Sequence, residues 1–138
     1  MMATGLADAL LLVGRLLFGG VVAFMGLNHF LQIDAMAGYA EHKGLPAPRL
    51  SVLASGALLV LGGAGIAAGA FPVLSGVAVA AFLVVAAVTM HDFWAVPEDQ
   101  QQDEMTQFLK NAIMAGGALA LAAVGTQEWA YSLGIGLF

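Results

Sequence analysis

The sequence contains no cysteine and very little charge. Without cysteine, the chain cannot form a disulfide framework, a thiolate metal site or a thiol redox relay. Lysine and arginine together number only 4, against 9 aspartates and glutamates, so the net charge is −5, which argues against nucleic-acid binding. Only 9% of the residues are charged while 61% are hydrophobic, which leaves too little polar surface to cover a soluble protein of 138 residues.

Long apolar stretches take up most of the chain. They cover residues 6–30, 50–71, 73–91 and 106–124, and most charges lie between them. Each has roughly 17–25 residues, the length of helix that crosses about 30 Å of hydrocarbon. The first stretch is too long for a signal peptide and has no basic start, so we expect a retained span. The sequence predicts an all-α fold: a single membrane domain over residues 1–138, built as a four-transmembrane-helix bundle in the cell membrane.

The connections between the spans predict the topology. Phe71-Pro72 is so short a link that spans two and three must form an antiparallel hairpin. Both termini then lie on the side of this turn, the terminal face, and the two longer connections lie on the opposite side, the loop face. The first connection contains AMAGYAEHKGL, which predicts a short amphipathic helix that ends near Gly44 and lies in the interface or against the bundle. Lys43 and Arg49 favour a cytoplasmic loop face, with both termini outside.

Small residues occupy one side of span two. Gly65 and Gly69, with Gly62 and Ser55 further back, form a face that either packs against a neighbouring helix or makes a groove for lipid.

The second connection is acidic. Residues 97–104 read PEDQQQDE, and we interpret them as a loop. Acidic, lysine-poor loops suit a halophilic protein, because concentrated salt screens the repulsion between carboxylates. The alternative is one acidic loop in an ordinary protein.

Arg15 lies within span one, where a charge needs a partner. It could extend along the helix to the terminal face, or pair with Asp8 or Glu128. A contact with a lipid headgroup or another ligand is the alternative role.

Polar and aromatic residues also mark the ends of spans at the loop face. Asn28-His29 closes span one, the HDFW run at 91–94 closes span three, and Lys110-Asn111 opens span four. Because neighbouring spans alternate in direction, these groups share one membrane depth, and we expect His91, Asp92 and Lys110 to be in contact. Such residues either anchor the helices at the interface in a structural hydrogen-bond network or surround a ligand. The candidate ligand-binding residues are Arg15, Asn28, His29, His91, Asp92, Trp94, Lys110 and Asn111.

The chemistry of these residues limits the ligand. Two imidazoles could ligate haem iron or form hydrogen bonds with a quinone, but the lack of cysteine and of clustered carboxylates disfavours a metal. No nucleotide-binding, zinc-protease or nucleophile motif occurs, so we expect no catalytic activity of the chain alone. We predict that a quinone or a lipid, rather than a metal or haem, occupies the space between Arg15 and His91.

Several short runs resemble the DoxX family of small four-span membrane proteins. They are GRLLF at 14–18, GLPAP at 44–48, HDFW at 91–94 and QFLKN at 107–111. The resemblance extends over about 11–123 and implies a four-helix membrane bundle. The residues that match the family's motifs are Arg15, His91, Phe93, Trp94, Lys110 and Asn111. Asn28-His29 departs from the family pattern, so the resemblance gives no role to His29.

The resemblance also implies classes of function. Family members include a membrane subunit of an archaeal thiosulfate:quinone oxidoreductase and proteins associated with oxidative stress, and a eukaryotic cargo receptor is a distant relative. One hypothesis is therefore an accessory membrane subunit of a quinone-linked redox or stress-response system, with a soluble or membrane oxidoreductase as its partner. The alternative is a non-enzymatic lipid-binding or scaffold protein. Membrane lipid is a partner in both cases, and a homo-oligomer is compatible with both.

Overall fold

The computed structural model describes residues 5–136, and these residues form helices joined by short connections. The helices are α1 (Gly5–Leu31), α2 (Ile33–His42), α3 (Pro48–Ala68), α4 (Pro72–Met90) and α5 (Glu98–Val124), with one 3₁₀ turn at Phe93–Ala95. Of these, α1, α3, α4 and α5 are long and apolar enough to cross a membrane. The all-α fold with four spans is confirmed, and so is the short helix between spans one and two.

The spans pack in series, each antiparallel to the one before. Helix α1 packs mainly on α3, α3 on α4, and α4 on α5. The first and last spans also meet: the Phe18 ring of α1 lies against Gly117 of α5. The buried core between the helices contains Val22, Leu59, Val79 and Ala118.

Glycines bring the backbones of α1 and α3 into direct contact. A Cβ atom on Gly26 would lie 2.6 Å from the Val60 nitrogen and 2.7 Å from the Gly56 carbonyl oxygen. A Cβ atom on Gly63 would lie 2.5 Å from the Ala23 nitrogen. Because neither distance can be relieved by a side-chain rotation, α1 and α3 can be this close only with glycine at these positions.

Two members of the small-residue face of span two, Gly62 and Gly65, pack against α4 and not against lipid. A Cβ on Gly62 would contact the Val79 side chain at 2.6 Å, and Gly65 lies against Ser75. Ser55, placed on this face from the sequence, instead bonds to α1, as described below.

The hairpin between α3 and α4 has the predicted position. Gly69 and Phe71 both have positive φ, 73° and 47°, and Pro72 begins α4. Proline at the first position of a helix costs no hydrogen bond, because that amide has no partner inside the helix. The left-handed backbone of Phe71 is unfavourable for a residue with a side chain, and a hydrogen bond from its N–H to the Ile135 carbonyl oxygen at 2.8 Å helps to stabilise it.

That bond belongs to a C-terminal tail, residues 125–136, which folds back across the terminal face. The Leu133 N–H donates to the carbonyl oxygen of Ala68, also at 2.8 Å. The first and last described residues therefore lie on the same side as the α3–α4 turn, as the topology predicts; the chain ends themselves, 1–4 and 137–138, lie outside the described residues.

Arg15 holds this tail in place. Its side chain is 1% exposed, and Nη1 donates to the Ala130 carbonyl oxygen at 2.9 Å while Nη2 donates to that of Tyr131. The guanidinium carbon lies 5.3 Å from the centre of the Trp129 ring. Arg15 does extend towards the terminal face, which was one of the alternatives, but it does not reach the surface there because the tail covers its guanidinium. Pairing with Asp8 or Glu128 is wrong: in residues 5–136, no ion pair involves Arg15.

Replacing Arg15 should release the tail. In Arg15→Met, the carbonyls of Ala130 and Tyr131 lose their donors, so the Leu133 amide should exchange its hydrogen at least about tenfold faster, the equivalent of one lost charged hydrogen bond. Hydrogen exchange followed by mass spectrometry measures this. The His91 amide, which bonds to the Ala87 carbonyl oxygen at the loop-face end of α4, is the internal control and should keep its rate. Unchanged exchange at Leu133 would show that the tail docks without Arg15.

A methyl group at the α1–α3 contact should destabilise the bundle. Gly26→Ala forces two backbones apart and should lower the free energy of unfolding by about 1–3 kcal/mol. Gly20→Ala, on the same helix, is the matched control, because nothing lies within 4 Å of its added Cβ. Unfolding in detergent at rising denaturant measures both. Equal stability of the two variants would contradict the close packing.

Candidate ligand-binding cavity

The acidic segment before span four is helical and not a loop. Helix α5 begins at Glu98, so residues 98–104 form its first turns. Glu98 and Asp99 lie at the helix N-terminus, where the helix dipole favours negative charge. This gives the acidity a structural reason, and it places Glu104 on the same rigid element as Lys110 and Asn111.

A cavity of about 880 Å³ lies in the loop-face half of the bundle, lined by residues from all five helices. Its inner wall is apolar and includes Met25, Leu59, Phe82 and Met114. Its outer wall, one to two helical turns closer to the loop face, is polar. The polar lining residues are His29, Tyr39, Ser51, Ser55, Thr89, His91, Gln107, Lys110 and Asn111.

His29 joins α1 to α3 at the wall of this cavity. Its Nδ1 lies 3.0 Å from Ser55 Oγ and 3.3 Å from the Val52 carbonyl oxygen, and its ring meets the edge of Phe82 at 6.5 Å. The Ser55 hydroxyl itself donates to the Val52 carbonyl at 2.9 Å. These bonds fix the imidazole plane through Nδ1.

A partly buried ion network closes the loop-face end of the bundle next to the cavity. Lys43, at the end of α2, donates to Asp92 Oδ1 at 2.6 Å and to Glu104 Oε2 at 3.0 Å. The Lys43 side chain is only 9% exposed, and that of Glu104 is 14% exposed. Tyr39 Oη lies 3.0 Å from Glu104 Oε2 and 3.1 Å from the Met90 carbonyl oxygen. We call these four residues, Tyr39, Lys43, Asp92 and Glu104, the loop-face network.

The network changes the proton affinity of the two α2 residues. Burial lowers the pKa of Lys43, but hydrogen bonds to Asp92 and Glu104 outweigh it and raise that pKa above its ordinary value. Burial, and then the hydrogen bond to Glu104, raise the pKa of Tyr39. Lys43 is therefore charged and Tyr39 neutral throughout the physiological range.

His91 lies between the network and the cavity. Its Nδ1 is 3.7 Å from Glu104 Oε1, which is too long for a hydrogen bond. Within the described part of the chain, this buried nitrogen has no hydrogen-bond partner. The contact with Glu104 is therefore electrostatic, and it is attractive only when the imidazole is protonated.

The cation that neutralises Asp92 is Lys43 and not Lys110. The predicted contact between Asp92 and Lys110 is wrong, because α2 folds over the loop face and places Lys43 between α4 and α5. Among the residues the structure describes, Lys110 belongs to no ion pair. It lines the cavity instead, next to Asn111, whose amide donates to the Leu83 carbonyl oxygen at 3.4 Å.

The other predicted site residues lie outside the cavity wall. Asn28 accepts a hydrogen bond from Gln32 at 3.2 Å on the exposed side of α1. Trp94 is 55% exposed and packs edge-on against Phe93 and Phe108. Arg15 holds the tail at the opposite face. The structure thus brings together His29, His91, Lys110 and Asn111, with Asp92 beside them in the network.

The sequence analysis missed Tyr39, Lys43 and Glu104 as members of this region. Two signals were available. Tyr39 and Lys43 are four residues apart, so they share one face of α2. Glu104, Gln107 and Asn111 have spacings of three and four, which place them on one face once α5 is extended back to Glu98.

The fold and the cavity define a class: a small polytopic membrane protein of four spanning helices with a mainly apolar cavity that carries polar side chains at its loop-face end. The DoxX family model matches residues 10–92, more than half of the chain, and the chain belongs to the DoxX family. The match covers α1 to the end of α4, including Lys43 and His91, whereas Lys110 and Asn111 lie beyond it. Searches of curated proteins and of solved structures gave no match.

Removing Lys43 should destabilise the fold, whereas removing Lys110 should not. Lys43→Met leaves Asp92 and Glu104 without their cation and should cost about 1–3 kcal/mol of unfolding free energy. Lys110→Met removes an equal charge from the same face and should change stability by less than about 0.5 kcal/mol. Denaturant unfolding of both variants in one detergent measures the difference. The reverse order would contradict the network.

Proposed function

We propose that this DoxX protein is an accessory membrane subunit whose loop-face cavity binds an amphiphile, a quinone or a lipid, in a quinone-linked redox or stress-response system. The observation that carries the proposal is the cavity itself. Its volume of about 880 Å³ lies in the range of small-molecule sites, about 300–1,000 Å³. Its apolar inner wall suits a hydrocarbon chain, and its polar outer wall suits one hydrogen-bonding head.

The shape of the cavity supports access from the bilayer. Several residues that line the cavity also form the outer surface of the chain. Val85 is 59% exposed, and Ala54 and Lys110 are exposed as well. A ligand dissolved in the membrane could therefore reach the inner wall without crossing water.

An accessory role follows from the chemistry of the side chains. The chain has no cysteine, so it carries no thiol couple, and electron transfer would need a partner oxidoreductase. The loop face, which we propose to be cytoplasmic on the basis of Lys43 and Arg49, is where such a partner would meet the head of the ligand.

Lipid binding without any redox partner is the second function, and the same cavity favours it. Helix α1 leaves Leu10, Leu17 and Phe24 more than half exposed, so lipid already covers much of the protein. The two functions differ in which amphiphile is retained and whether an oxidoreductase is bound with it.

Filling the cavity should remove the ligand. We expect the full chain, purified in mild detergent, to retain a quinone or a specific lipid that solvent extraction and mass spectrometry identify. Ala86→Phe places a ring in the cavity wall and should reduce the retained amount at least about fivefold, since a filled site loses the apolar area that the tail would bury.

Ala81→Phe is the matched control, because Ala81 is on the same helix but faces outward and does not line the cavity. Retention should match that of the unmodified protein. A retained quinone together with a co-purifying oxidoreductase supports the redox role, and a lipid alone supports the second function. Equal ligand content in both variants, or no specific amphiphile at all, would remove the support for a cavity site.

A further inference from the structure

Three of the protein's 4 basic side chains have partners that account for their charge. Arg15 donates to the carbonyls of the tail, and Lys43 is bonded to Asp92 and Glu104. Arg49 pairs with Asp34 at 2.8 Å. Lys110 is the exception: within residues 5–136 no carboxylate oxygen lies within ion-pair distance of its ammonium group.

Lys110 is also the only one of these cations that lines the cavity. No aspartate or glutamate of the described chain lines it, because Asp92 and Glu104 point into the loop-face network and are neutralised there by Lys43. The other ionisable side chains on the wall are Tyr39, which is neutral, and the two imidazoles of His29 and His91. The wall therefore carries positive charge and no negative charge.

Within the cavity, the positive charge lies at the loop-face end and the apolar surface lies deeper in the bundle. Met114 is one helical turn further from the loop face than Lys110, and Met25 is one turn further than His29. Leu59 and Phe82 complete the apolar end. A molecule that fills the cavity therefore has its polar head beside Lys110, at the mouth, and its hydrocarbon chain towards the middle of the bundle.

We infer that the natural occupant of this cavity is an amphiphile with an anionic head, a carboxylate or a phosphate, that binds Lys110 while its hydrocarbon chain lies against Leu59 and Met114. This inference rests on the proposed function and deepens it, since it specifies the chemistry of the ligand. An uncharged quinone would give Lys110 only a neutral acceptor. An anionic head adds a Coulomb attraction to the ammonium group that a neutral carbonyl lacks, and this attraction is larger beside a protein and its bilayer than in bulk water.

The test is competition for a radiolabelled fatty acid. The full chain is immobilised in uncharged detergent and loaded with labelled palmitate, and unlabelled palmitate, hexadecyl phosphate, methyl palmitate and a decyl-substituted benzoquinone are added as competitors. We expect both anions to displace the label at concentrations at least about tenfold lower than the neutral ester or the quinone. Lys110→Gln should remove this preference, and Lys110→Arg should retain it.

Arg49→Gln is the charge control. It removes one positive charge from the same face at a side chain that is 62% exposed and outside the cavity, so the preference should persist. Inorganic phosphate at the concentration that suffices for hexadecyl phosphate should not displace the label; displacement would mean a site for free anions and would overturn the inference.

The outcomes separate this inference from the proposed function. If methyl palmitate and the quinone compete as well as palmitate does, and Ala86→Phe abolishes binding of all of them, the cavity binds amphiphiles but the anionic preference is overturned. If the unmodified protein binds none of the probes, both the inference and the proposed function fail.

Discussion

The loop-face half of this protein depends on one buried lysine. Lys43 lies at the end of the short helix α2 and bonds to Asp92, just after α4, and to Glu104, in α5. Taking charged groups partly out of water is costly, and it is tolerated only when they are well paired. Here the Lys43 bonds measure 2.6 and 3.0 Å, and the Tyr39 hydroxyl lies 3.1 Å from the other carboxylate oxygen of Glu104. The cavity is adjacent to this network and keeps its shape because α2, α4 and α5 are fixed relative to one another.

The terminal face is held by a different cation in a different way. Arg15 binds no carboxylate; its planar guanidinium donates to two consecutive backbone carbonyls, Ala130 and Tyr131, and lies over Trp129. Arginine suits this arrangement because its planar guanidinium has separate nitrogens, so each carbonyl receives its own N–H while the flat face of the group lies over the indole ring. In both halves of the molecule, a charge near the end of a span secures a segment that is not itself a span.

The sequence was a good guide to features that depend on local composition. Span number follows from the lengths of the apolar stretches, the hairpin from the Phe71-Pro72 link, and α2 from its periodicity. The extent of α5 was underestimated because polar composition shows that a segment is in water, and not that it lacks helical structure. Its residues 98–104 are polar and helical at once.

The sequence predicted the membrane depth of the candidate site residues, but not the direction in which their side chains point. Matching the ends of the spans placed His29, His91 and Lys110 at one height, and they do line one cavity. The pairing of Asp92 with Lys110 failed because height does not determine which way a side chain points around its helix, nor that α2 folds over and supplies Lys43. The partners of Arg15 could not be predicted for a similar reason: they are more than a hundred residues away in sequence, in a tail with no local pattern.

Glu104 and Lys110 are on the same uninterrupted helix, and this connects the network mechanically to the cavity. Along α5 no proline or glycine interrupts the turns between them. The two residues are six positions apart, so any rotation of this stretch of α5 about its axis moves both Cα atoms together. The bond between Lys43 and Glu104 therefore limits where the Lys110 side chain can start at the mouth of the cavity, although Lys43 does not line the cavity. A change in the ion network would be felt at the binding site through the rotation of this one helix.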